Sequence, residues 1–204
     1  MANSIILIGD TQCGKTSICH ALHYGTSVSM PAHESTIGAS YLSKLVQIPW
    51  VDDQYRNIRL SIWDMGGRPI YYKLIDQLIK NKKAVMIVYS ATDTPEFSIK
   101  KIMSYLNLVT DERQLIYLVA NKIDLMPEEQ LSVNRRAVMN KLRSFGLHIK
   151  MFEVSAITGY GIADLFSVIA FDLMCVPQLI GAESEFKESG RNTGCCSFIK
   201  NFLR

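Results

Sequence analysis

Short, almost wholly apolar runs alternate along this chain with longer stretches in which apolar residues recur every three or four positions. Residues 5–8, 58–63, 84–89, 115–120 and 149–154 predict strands buried on both faces, because they lack the polar alternation of a half-exposed strand. The stretches between them predict helices near residues 15–24, 70–81, 95–110, 128–145 and 162–174. The fourth of these is well punctuated, with Pro127 at an early helical position, Glu128 and Glu129 in the first turn and Gly146 just past the end. Such alternation predicts a mostly parallel sheet with helices on both faces. A further stretch, residues 41–48, alternates more weakly and fits an antiparallel strand at the sheet edge.

Composition acts mainly by exclusion. A chain of 204 residues, 48% apolar and 20% charged, has the balance of an ordinary globular domain rather than a disordered or fibrous one. Its formal net charge of +3 and scattered basic residues give no electrostatic footprint for nucleic acid. The cysteines number 5 (Cys13, Cys19, Cys175, Cys195 and Cys196) and form no ligand-spaced clusters, which suits a reducing compartment. No secretory leader pattern opens the sequence, and no apolar run approaches the roughly 18 to 20 residues of a membrane span. The expected location is therefore cytoplasmic, free or held on a membrane from the cytosolic side. Beyond Pro177 the sequence turns to Gly, Ser, Glu, Lys, Asn and Thr, which predicts one domain over residues 1–176 and a flexible tail over 177–204.

Chemistry enters at the end of the first strand. Gly9-Asp10-Thr11-Gln12-Cys13-Gly14-Lys15-Thr16 fits the phosphate-loop pattern and sits between a predicted strand and a predicted helix. In such a loop the backbone N–H groups of Asp10 through Thr16, with Ser17 behind them, cradle phosphates at a positive helix N-terminus. Lys15 then meets the β- and γ-phosphates and the Thr16 hydroxyl meets Mg²⁺. A second element, Asp64-Met65-Gly66-Gly67, follows the strand 58–63 and puts a carboxylate at the edge of the sheet where ligands bind in such folds. Asp64 is expected to serve Mg²⁺, directly or through water, and Gly67 to offer its N–H to the γ-phosphate. Thr36, in Ser35-Thr36-Ile37-Gly38, is a third Mg²⁺ candidate, one that arrives when a γ-phosphate draws its loop inward.

Base recognition is expected from two loops. Asn121-Lys122-Ile123-Asp124 closes the strand 115–120, and Ser155-Ala156 closes the strand 149–154. A carboxylate at Asp124 accepts from the pair of N–H donors on the guanine edge, which adenine lacks, so it favours GTP and GDP over ATP. Asn121 would tie the base loop to the phosphate loop, Lys122 would lie along the base, and the Ala156 N–H would meet the guanine O6.

These motifs resemble those of the Ras superfamily of small GTPases over about residues 4–176, and the Rab branch is the nearest likeness through Ser35-Thr36-Ile37-Gly38, Leu60-Ser61-Ile62-Trp63-Asp64 and Ile87-Val88-Tyr89-Ser90-Ala91-Thr92-Asp93. The resemblance implies a three-layer phosphate-loop G domain with six strands and five helices. It also implies GTP hydrolysis, and effectors, exchange factors and GTPase-activating proteins that bind around Thr36 and residues 67–73 according to the bound nucleotide. Catalysis would then rest on Lys15, Gly67 and the residue at position 68.

Several positions depart from the family pattern. Arg68 stands where the family has the glutamine that orients the attacking water, and a guanidinium is a donor only. Arg68 is either a solvated charge whose duty another residue performs or a group that reaches the γ-phosphate. Thr11 and Gln12 fill loop positions that are commonly small, and with Arg68 they predict slow intrinsic hydrolysis. Thr16 and Thr36 stand farther apart than the family spacing. No Phe occupies the place of the aromatic that stacks on guanine; Tyr24 is either its substitute or a helix-end tyrosine. Met65-Gly66 replaces the usual Thr-Ala, and Pro69 favours an extended residue before it.

The tail carries Gly194-Cys195-Cys196, similar to the paired cysteines of Rab tails, but residues 197–204 follow it, which argues against prenylation and leaves palmitoylation open. Phe198, Ile199, Phe202 and Leu203 form one apolar stripe with Lys200 and Arg204 outside it. That short amphipathic end suits either a membrane interface or packing on the domain or a partner.

Overall fold

The computed structural model describes residues 3–26, 35–50, 54–109, 111 and 113–185, with side chains described through Cys175. The chain divides into two compact units, Met1–Leu173 and Met174–Arg204. Six strands and five helices follow the order β1 (Asn3–Ile8), α1 (Lys15–Tyr24), β2 (Ala39–Pro49), β3 (Tyr55–Met65), α2 (Tyr72–Ile79), β4 (Ala84–Ser90), α3 (Pro95–Leu106), β5 (Leu115–Asn121), α4 (Glu128–Ser144), β6 (Lys150–Glu153) and α5 (Ile162–Glu185). The strands form one sheet in the order β2-β3-β1-β4-β5-β6. Every pairing is parallel except that of β2 with β3.

The apolar runs occupy the middle of this sheet. All residues of β4 are buried, as a central parallel strand covered on both faces requires. On one face Ile6, Ile8, Val85, Ile87, Leu118 and Ala120 pack with Ile75 and Ile79 of α2, Ile102 and Tyr105 of α3, and Leu131, Val138 and Leu142 of α4. The alternate residues Ile5, Leu7, Met86, Val88, Tyr117 and Val119 are equally buried on the opposite face. There the Tyr117 hydroxyl donates to Asp172 of α5 at 2.7 Å. Each fully buried aliphatic side chain contributes about 1.5–3 kcal/mol, and together they hold the strand ends at a common level where the loops emerge.

Local chemistry explains the helix ends. Thr94 caps α3 by accepting from the Phe97 N–H at 3.4 Å, with Pro95 and Glu96 in the first turn. Helix α4 has Glu128 and Glu129 at its start and Lys141 and Arg143 in its last turn, and Gly146 follows with φ 74°.

Some elements differ from their predicted extents. Pro127 is the N-cap of α4 and so precedes the helix. The stretch 70–81 begins as a tight 3₁₀ turn, Pro69–Tyr71, because Pro69 fixes its own φ and holds Arg68 extended at φ −79°, ψ 144°. Strand β3 includes Asp64 and Met65, and β2 is longer than residues 41–48. Only Val46 and Ile48 of β2 are buried, which is why its sequence alternates so weakly. Helix α5 begins at Ile162 as expected, and in the second unit the described residues 174–185 are helical through Pro177. No helix among the described residues is long and apolar enough to cross a membrane.

Candidate nucleotide-binding site

At the carboxyl ends of β1, β3, β5 and β6 lies a cavity of about 540 Å³ whose lining includes Thr11, Gln12, Lys15, Thr16, Thr36, Gly67, Asn121, Lys122, Asp124 and Ala156. The fold thus brings most of both predicted constellations to one cavity, although Asp10, Cys13, Asp64 and Ser155 are not among the residues that line it. The loop from β1 to α1 turns through Gly14, which adopts φ 93° at the N-cap of α1. A Cβ at Gly14 would overlap the Asn121 amide, so close packing as well as φ demands glycine there. No side chain caps α1 and no acidic residue lies in its first turn, which leaves its positive end facing the cavity.

Lys15 is buried, and its Nζ donates to the carbonyls of Gly9 at 2.8 Å and Asp10 at 2.7 Å. The ammonium is thereby fixed beneath the loop. Burial also keeps the Cys13 thiol protonated by raising its pKa, and its Sγ accepts from Lys15 Nζ at 3.7 Å. Gln12 is held at φ 64°, in the left-handed region that non-glycine residues seldom occupy.

Three oxygen-bearing side chains meet beside the loop. Thr16 Oγ1 donates to Asp64 Oδ2 at 2.6 Å, Thr36 Oγ1 donates to the same oxygen at 3.3 Å, and the two hydroxyl oxygens are 2.9 Å apart. The other carboxylate oxygen, Asp64 Oδ1, is buried with no hydrogen-bond partner. Burial raises the Asp64 pKa, partly offset by hydrogen bonding from Thr16 and the charge of Lys15. A buried carboxylate with one unpartnered oxygen and two converging hydroxyls suits a hard cation with oxygen ligands, and Mg²⁺ would fit it. Among the described residues no group of three or more His, Cys, Asp or Glu offers a competing metal site. The longer Thr16–Thr36 spacing does not prevent their meeting.

Gly67 lies flat against the phosphate loop: a Cβ there would overlap the backbone of Asp10 and Thr11. The Gly66 N–H donates to Gly38 O at 2.8 Å, which ties the segment after β3 to the one before β2. Arg68 then points the chain outward as an exposed, extended residue.

At the opposite end, Asn121 is 1% exposed and bridges both loops. Its Nδ2 donates to Cys13 O at 3.0 Å, and its Oδ1 accepts from the Ala156 N–H at 3.1 Å. The tie to the phosphate loop is as expected. The Ala156 N–H, expected to meet guanine O6, is given instead to Asn121 in this internal bond. Asp124 is exposed, and its Oδ1 accepts from Ser155 Oγ at 2.6 Å. Lys122 takes φ 68°, which turns the chain sharply after β5. Tyr24 is absent from the cavity lining and instead contacts His20 and His23, ring centroids 4.8 and 4.4 Å away.

Sequence reading missed Leu125 and Ile157, which line the base end of the cavity while 64% and 62% exposed. Their signal is an apolar residue just beyond a polar loop motif, where neither core periodicity nor solvation accounts for it.

A mostly parallel sheet with a strand-to-helix phosphate loop and a carboxylate on the adjacent strand defines a nucleoside-triphosphate-binding domain of the phosphate-loop class. The model of the Ras family matches residues 4–174, and the chain belongs to that family. It is accordingly a small GTPase, a member of a family of guanine-nucleotide-binding switches that use Mg²⁺ and engage regulators and effectors.

Proposed function

We propose that the chain is a Rab-like switch that recruits effectors in membrane trafficking while GTP is bound, and that its intrinsic hydrolysis is slow. In this reading the loop 10–17 binds phosphates, Thr16, Thr36 and Asp64 hold Mg²⁺, and Asn121, Lys122, Asp124, Ser155 and Ala156 bind the base. An ion held there would supply neutralisation of the phosphate charge. The observation that carries slow turnover is Arg68, extended and exposed directly after Gly67. A guanidinium accepts no proton and no hydrogen bond, so it does not orient a water by the acceptor route of a glutamine. Thr11 and Gln12 favour a second reading, a binding module that stays charged with GTP, since both line the cavity where the family commonly has small residues.

Arg68→Gln separates these readings. Single-turnover hydrolysis of preloaded GTP is expected to accelerate by roughly tenfold or more if Arg68 is the limiting departure. An unchanged rate would sink that assignment and leave the permanently charged module.

Peripheral attachment to the cytosolic face of an endomembrane is proposed through Cys195 and Cys196, which lie outside the described residues, as does the amphipathic end. Two acyl chains suffice for stable anchoring where one does not. Membrane fractionation of the full chain is expected to lose the pelleted form on replacing both cysteines by serine. No change in the double variant would end the acylation proposal.

A further inference from the structure

Asp10 is the second residue of the phosphate loop, and its carboxylate is held from α3. The Tyr105 hydroxyl donates to Asp10 Oδ1 at 3.0 Å, and Lys101 Nζ pairs with Asp10 Oδ2 at 2.5 Å. Tyr105 is 2% exposed, so its hydroxyl needs an internal acceptor, and a carboxylate supplies a strong one. Burial and the nearby Asp10 charge raise the Tyr105 pKa, which keeps its hydroxyl a donor.

Tyr105 also faces the segment that follows Gly67. Its ring meets that of Tyr72 edge-on, with centroids 5.8 Å apart and planes at 74°. Tyr72 opens α2 directly after the Pro69–Tyr71 turn. The neighbouring Tyr71 ring lies against Gly66, where a Cβ would stand 2.6 Å both from that ring and from the Thr36 carbonyl oxygen. The contacts therefore close into a circuit. Gly67 rests on the backbone of Asp10 and Thr11, the chain runs on to Tyr72, Tyr72 packs on Tyr105, and Tyr105 returns to Asp10.

A separate cavity of about 310 Å³ on the α3 side of the loop is lined by Asp10, Gln12, Phe97, Lys101 and Tyr105 among others. It gives the two α3 side chains space to change position. Thr11, Gln12 and Lys122 line this cavity and the larger one alike, so the two adjoin across the loop.

We propose that Tyr105 and Lys101 are positioning residues that couple the segment 67–72 to the phosphate loop through Asp10. A γ-phosphate that draws in the Gly67 N–H displaces Tyr72, and α3 transmits that displacement to the loop. The grip on a bound nucleotide then differs between its GDP and GTP forms through α3. This inference rests on the reading of the 540 Å³ cavity as a guanine-nucleotide site.

The test is the release rate, from the full chain with Mg²⁺, of fluorescent GDP and of a fluorescent non-hydrolysable GTP analogue. Tyr105→Phe removes one hydroxyl and keeps the ring. It is expected to speed release of one nucleotide roughly threefold to tenfold, the worth of one ordinary hydrogen bond, and to change the ratio of the two rates by at least about threefold. Lys101→Met is expected to act in the same direction and Lys101→Arg to restore the parent ratio. A purely structural role would accelerate both nucleotides by the same factor, and that outcome overturns the coupling, as do rates within about twofold of the parent. If Tyr105→Phe does not fold, the Lys101 pair decides the matter on the same criteria. Failure of the parent chain to bind fluorescent GDP defeats the nucleotide reading and the coupling together. Normal parent binding with an unchanged ratio in the variants defeats the coupling alone.

Discussion

Replacing Lys15 by alanine is expected to lower the affinity for guanine nucleotide by about 10³-fold, through loss of charge-assisted hydrogen bonds to two phosphates worth roughly 1.5–3 kcal/mol each. The geometry supports a contribution of this size. Lys15 is 5% exposed and its ammonium is held by the carbonyls of Gly9 and Asp10, so it meets the phosphates already ordered. Titration calorimetry with GDP and Mg²⁺ measures the loss. Thermal unfolding without nucleotide distinguishes it from damage to the loop, whose carbonyls lose their internal donor. A decrease smaller than tenfold would show that the helix N-terminus and backbone carry the phosphates without this cation.

Asp124→Asn is expected to cost roughly 10²- to 10³-fold in affinity for GDP and GTP. Guanine presents two neighbouring N–H donors, and the carboxylate presents acceptors alone. Asparagine exchanges one acceptor for a donor, leaving two donors face to face in a partly desolvated site. The same swap suits a base with a carbonyl in place of the exocyclic amine, so xanthosine diphosphate is expected to bind the variant better than the parent. Ser155 steadies the wild-type carboxylate at 2.6 Å, and its hydroxyl can bond asparagine as well, which limits disturbance of the loop. Competition of GDP, ADP and xanthosine diphosphate against fluorescent GDP reads the change. An asparagine variant that holds GDP within tenfold of the parent would remove Asp124 from base recognition.

The features most legible in the sequence were those with a local signal. The runs 84–89 and 115–120 stand alone as buried strands, and each proved a central strand lengthened by one residue. The phosphate loop was legible because Gly14 and Lys15 sit between a strand signal and a helix signal. Asn121 was legible because Asn-Lys-x-Asp ends a buried strand.

What escaped depends on contacts between distant segments or on one residue's backbone preference. Tyr105 reads as a core residue of α3, and nothing near it in the chain reveals that its hydroxyl meets Asp10. Gln114 likewise reads as a loop glutamine, yet its Nε2 donates to Ile79 O at 2.6 Å and Lys82 O at 2.8 Å, joining the end of α2 to the start of β5. Pro69 was seen to favour an extended Arg68, while the 3₁₀ turn that it starts was absorbed into a longer predicted helix. In α5, Pro177 and the polar residues after it suggested an end that the helical backbone passes.

The most direct measurement of the central claim is to purify the chain, extract and identify any bound nucleotide, and titrate the emptied protein with GTP and ATP in Mg²⁺. The geometry around Lys15, Asp64 and Asp124 predicts extracted GDP or GTP near one per chain, and at least about 10²-fold preference for GTP over ATP. Stoichiometric ATP, or no affinity for either nucleotide, would contradict it.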